Sequence, residues 1–143
     1  MIGEEEILRT IAAVEQIQAG VSGLSPELAE KLVMERDLPA AKRGGLSSDD
    51  AGEAIFIIGD PPAFDPWFAE LLLTPALISS VQELLGTDAI RYHFSNITMK
   101  RSRIGSGISW HRDFPNRYLC PRGASFGATM TLASQQAADQ SGQ

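Results

Sequence analysis

At Ala89 the period of the sequence changes. Upstream, apolar residues recur at every third and fourth position, but AIRYHFSNITMK (89–100) alternates in steps of two. Helix-forming segments therefore come mostly first and strand-forming ones after. That order fits an α+β domain, or a mainly β domain flanked by helices, and argues against alternating βα units. The chain's 143 residues suit one domain with a real core. There is no internal repeat, phosphate-binding glycine loop or dinucleotide fingerprint.

Prolines and glycines punctuate the helical part. Ile7, Ile11, Val14 and Ile17 form an amphipathic stripe over Glu4–Gln18. In GLSPELAEKLVMERDLP, Ser25 is an N-cap and Pro26 the first helical residue, and Pro39 lies beyond the end, so a helix is expected over 26–38. AAKRGGLSSDDAGEA (40–54) reads as a loop, and AIFIIGDPP as a short apolar strand closed by a turn. Asp65-Pro66 and Thr74-Pro75 each open a further helix. In the second, Leu77, Ile78, Val81, Leu84 and Leu85 make a packing face and Gly86 is the stop.

Three strands are expected after Gly86. On AIRYHFSNITMK, Ile90, Tyr92, Phe94, Asn96 and Thr98 share one face, and Arg91, His93, Ser95, Ile97 and Met99 the other. ISWHRD and SFGATMTLA (125–133) follow, and SQQAADQSGQ is a polar tail. On a strand, His111 and Asp113 face the same side. Imidazole nitrogen and carboxylate oxygen at one point suit a divalent metal, and one further histidine completes the facial triad of non-haem Fe(II) oxygenases. The same triplet also fits a hydrogen-bonded surface histidine beside a turn aspartate, because spacing alone is a weak signal.

Charge and cysteine content narrow the classes. Residues 1–70 hold 14 acidic and 5 basic side chains, and residues 71–143 hold 4 and 7, for a net charge of −6. An acidic whole argues against nucleic acid as a partner. No apolar run suits a membrane span, and the acidic MIGEEEILRT start is unlike a basic leader, so a cytoplasmic location is expected. Cys120, the lone cysteine, excludes an internal disulfide and a multi-cysteine zinc cluster.

Taken in order, the helix pair FAELLLTPALISSVQELLG, the strand FSNITMK ending in a lysine, a glycine-containing link and Trp110-His111-x-Asp113 resemble the phytanoyl-CoA dioxygenase family of Fe(II)/2-oxoglutarate oxygenases. The resemblance covers residues 61–143 and extends to the LSPELAEKL helix, with residues 1–60 as a helical and loop lead-in. It implies helices packed on a partial double-stranded β-helix, a cupin-like jelly roll. It also implies a mononuclear iron held by His111 and Asp113, with O₂ and 2-oxoglutarate as cosubstrates. Asn96 matches the strand position that faces 2-oxoglutarate, with Thr98 and Lys100 on the same face, and Thr129 matches a position lining that pocket. Trp110 is expected in the core and Arg112 to point away from the metal, and Arg117 and Tyr118 lie beyond the motif. The implied reaction is oxidative decarboxylation of 2-oxoglutarate to succinate and CO₂, coupled to hydroxylation of a small-molecule substrate. The triad aspartate favours hydroxylation over halogenation. No residue is assigned as a catalytic acid, base or nucleophile.

The family pattern also needs a distal histidine and, beyond it, an arginine that pairs with the far carboxylate of 2-oxoglutarate. No histidine follows His111 and no arginine follows Arg122. His93, expected on the opposite strand face from Asn96, needs a bulge to serve instead. The expectation is the N-terminal portion of an oxygenase-like domain that binds iron weakly, lacks turnover and self-associates. The alternative is a non-catalytic jelly-roll binding domain that retains half of a metal site.

Overall fold

The computed structural model describes residues 2–43, 46–100 and 106–108. Helix α1 spans Glu4–Ala19 and buries Ile17 of the expected stripe together with Ala13, one turn before it, while Ile11 and Val14 are half-buried and Ile7 is exposed. Its first turn holds Glu4, Glu5 and Glu6, where negative charge meets the positive end of the helix dipole, and the Gly3 amide donates to the Glu6 carboxylate. A 3₁₀ turn, Val21–Gly23, leads to α2, Pro26–Ala29. Ser25 caps α2 as the sequence indicates, its Oγ accepting from the Leu28 amide at 3.4 Å.

The expected helix over 26–38 stops after that single turn. Leu32–Met34 forms strand β1 and Glu35–Asp37 a second 3₁₀ turn. The apolar spacing of 26–38 suits a helix, but strand β2, Ile55–Gly59, supplies backbone partners that a local reading does not see. The loop expected over 40–54 contains one helical turn, α3, Ser48–Ala51, capped by the Ser47 hydroxyl.

β2 is the expected apolar strand and the centre of an antiparallel sheet ordered β1-β2-β3, where β3 is Asn96–Thr98. Leu32 pairs with Ile58 and Val33 with Ile57, but Met34 pairs with Ile55, so the register passes over Phe56. That bulge explains how Ile55 and Ile58, three apart, both reach one core and are both fully buried. They meet Ala13, Ile17 and Met34, and also Trp67, Phe68 and Leu71 of α4, Trp67–Leu72. Asp65 helps start α4, its Oδ1 accepting from the Trp67 amide at 2.8 Å.

Helix α5, Pro75–Leu85, starts at Pro75 and ends at Gly86 as expected. Gly86 takes the left-handed conformation, φ 65°, and the Thr87 amide donates back to the Gln82 carbonyl at 3.2 Å. The expected packing face of α5 is only half-covered. Leu77, Ile78, Val81 and Leu85 are partly buried and Leu84 is exposed.

The long strand expected over 89–100 contracts to β3. Its partner β2 ends at Gly59, where Asp60 turns into the left-handed region and Pro61–Ala63 forms a 3₁₀ turn. Upstream of Asn96, the Asp60 amide bonds the Ser95 carbonyl, and residues 89–95 form no strand. The described part of the chain is thus a mixed α and antiparallel β structure, consistent with α+β. Among the described residues no helix is long and apolar enough to cross a membrane.

Candidate functional site

β3 presents two rows of side chains. Ile97, opposite Ile58, packs with Met99 against the core cluster. Asn96 and Thr98 occupy the other row, Asn96 exposed and Thr98 half-buried. The alternation expected for this stretch therefore holds over 96–99, and the two proposed cosubstrate residues share a sheet face turned from the core.

Lys100 continues the Asn96–Thr98 row by alternation, but its ammonium is engaged. Nζ donates to the Ser106 carbonyl and lies 5.7 Å from the centroid of the Phe56 ring. Phe56, the residue passed over at the bulge, is buried outside the main core cluster.

Beside this row lies a buried polar cluster. Glu35, directly after β1, is 2% exposed, and Ser106 is fully buried. The Ser106 amide donates to Glu35 Oε1 at 3.2 Å, and the Ser106 hydroxyl donates to Oε2. Glu35 is itself anchored through its backbone, its amide donating to the Ala54 carbonyl at 2.8 Å and its carbonyl accepting from Leu38. One carboxylate thus grips one residue through both oxygens, across 71 positions of sequence. A buried carboxylate needs such partners, because leaving it unpaired costs several kcal/mol, of order 3–5.

Sequence reasoning missed Glu35, which falls within the helix expected over 26–38. The available signal was its place directly behind the apolar Leu32-Val33-Met34. His111, Asp113 and Thr129 lie outside the described residues. His93 is exposed and outside β3, its ring edge-on to Phe94 with centroids 5.3 Å apart. Among the described residues, no three His, Cys, Asp or Glu side chains group to hold a metal ion.

No family model, curated protein or solved structure matches this chain. The geometry above is accordingly the physical basis for a functional reading, together with the motif series in the sequence.

A hollow of about 190 Å³ opens elsewhere, between α1, α2 and the turn at Phe64. Ile17, Leu24, Leu28 and Phe64 line it, and none of its lining residues comes from the sheet. Its one acidic group, Asp65, already accepts from the Trp67 amide. It offers apolar shape rather than chemistry.

Proposed function

We propose that this chain carries part of a non-haem Fe(II)/2-oxoglutarate oxygenase site of the phytanoyl-CoA dioxygenase type, built on a jelly-roll core, with a small-molecule C–H bond as the target. The ordered series ending in Trp110-His111-x-Asp113 carries this reading. The open row of Asn96 and Thr98 on an antiparallel strand supports it.

The donor set is compatible with the metal: an imidazole and a carboxylate are borderline and hard ligands that can hold Fe(II) and leave positions for a chelating cosubstrate. With O₂, bound iron and 2-oxoglutarate supply the oxidising power for hydroxylation. His111 and Asp113 hold the metal through nitrogen and oxygen. The Asn96 amide donates to a carboxylate or keto oxygen of 2-oxoglutarate, and the Thr98 and Thr129 hydroxyls add donors on the cosubstrate side. Lys100 is committed to the Ser106 carbonyl and is not assigned to the cosubstrate.

Anaerobic titration with Fe(II), or with Co(II) as a redox-stable probe, tests the assignment through intrinsic tryptophan fluorescence and visible absorption. Saturable binding is expected in the unsubstituted chain, with loss in His111→Ala and in Asp113→Ala. Asn96→Ala is expected to weaken 2-oxoglutarate binding to the metal-loaded chain while leaving metal affinity intact. Metal binding indifferent to both ligand substitutions removes the oxygenase reading and favours a non-catalytic binding domain.

A further inference from the structure

We infer that the hollow between α1, α2 and Phe64 is a binding site for a small amphiphilic amine, with the ammonium group beside Asp65 and the end of α1 and the apolar body against Leu24, Leu28 and Phe64. The inference is independent of the oxygenase reading, since none of the residues proposed for that site lines the hollow.

Size and lining set the kind of occupant. An apolar cavity of about 150 Å³ holds benzene. The hollow, at about 190 Å³, has room for one ring and a short chain. Ala13 and Ile17 are buried, but Leu24, Leu28 and Phe64 are only half-buried, so their apolar surface is still in part open to water. A ligand that covers this surface gains from the hydrophobic effect. Among the described lining residues there is no Cys, His, Ser or Lys, so the hollow can hold a molecule without transforming it.

Charge sets the polar end. Asp65 is the one charged group among the described lining residues, and the bond from the Trp67 amide takes one of its oxygens without neutralising it. The ion pairs of the described residues join Arg9 to Glu70 and Lys31 to Asp60, and neither answers Asp65. Helix α1, 16 residues long, ends at Gly20, which also lines the hollow, and its last turn carries no basic side chain. The partial negative charge of a helix C-terminus thus stands beside a carboxylate with no cation of the helix to balance it. An anion is repelled at such a rim, and an ammonium, with three donors and a positive charge, is favoured. The Gln16 side-chain oxygen is a further acceptor on the same lining.

The test titrates the full chain with 2-phenylethylamine, with 2-phenylethanol as its neutral counterpart and with 3-phenylpropanoate as an anionic one, each followed by amide chemical shifts in heteronuclear NMR. The amine is expected to bind saturably, with shifts centred on Gly20, Leu24, Leu28 and Phe64. The alcohol should bind roughly tenfold more weakly, because a half-exposed carboxylate and a helix end each add modestly to affinity, and the propanoate more weakly still. Asp65→Asn keeps a side-chain oxygen for the Trp67 amide, so α4 retains its start while the charge is lost. That variant is expected to bind amine and alcohol almost alike. Leu28→Trp, which fills the hollow, should weaken both. Equal affinity for the three ligands in the unsubstituted chain overturns the cation preference, and does so even if Asp65→Asn folds poorly. A preference for the amine that survives Asp65→Asn overturns the assignment to Asp65. Absence of saturable shifts at the lining residues overturns the site as a whole.

Discussion

At the residue scale, Gly59 shows how closely β1 and β2 approach at their junction. Its amide donates to the Lys31 carbonyl at 2.8 Å, and a Cβ on Gly59 would stand 2.9 Å from that same oxygen. Backbone cannot swing aside as a side-chain tip can. Gly59→Ala is therefore expected to cost about 1–3 kcal/mol, the range for overpacking a tight site, read as a lower urea midpoint at unchanged slope. The neighbouring Lys31 and Asp60 side chains pair at 2.9 Å but are partly exposed, so breaking that pair should matter far less. Single residues with local jobs were legible in the sequence: Ser25 as a cap, Pro75 as a helix start, Gly86 as a stop. Glu35 was not, because its partner Ser106 lies in a different part of the chain and no spacing rule joins them.

At the element scale, α1 is fastened to the sheet by more than apolar contact. Gln18 Oε1 accepts from the Ile55 amide at 2.9 Å, and its Nε2 donates to the Glu53 carbonyl at 2.8 Å. Ile55 is fully buried, so Gln18→Leu strands its amide at the start of β2. A loss of about 1–3 kcal/mol is expected, with faster hydrogen exchange at Ile55 as the specific sign. Nearer the start of α1, where it meets α4, Trp67 Nε1 donates to Thr10 Oγ1 at 3.0 Å, and the Arg9 guanidinium lies 4.2 Å from the Trp67 ring centroid. Helices with strong local signals were legible, whereas β1 and the limits of β3 were not. Leu32-Val33-Met34 sits in a helix-like pattern, and it becomes a strand because β2 is there to bond it. Residues 89–95 alternate like a strand, but β2 ends at Gly59 before it can pair them.

At the scale of the molecule, the described sheet has three strands and leaves an outer edge on both β1 and β3. Such edges present unpaired amides and carbonyls that another chain can join. Concentration-dependent association is expected in sedimentation velocity, and Val33→Lys, at an edge position 37% exposed, should reduce it. An unchanged sedimentation coefficient across a wide concentration range rules this out. The α+β character was legible from the order of periodicities. The proposed ligands His111 and Asp113 lie outside the described residues, and the buried carboxylate joined to Lys100 through Ser106 came only from tertiary contact. The skipped register at Phe56 also sets that residue apart from the ladder around it. Removing that one residue would let the ladder run on evenly, and Ile55 and Ile58 would then stand two apart around a single intervening side chain. The aromatic floor beneath Lys100 would vanish in the same stroke, so shortening this strand by a residue would spare the core, with both isoleucines still on one face, and fall on the polar cluster instead.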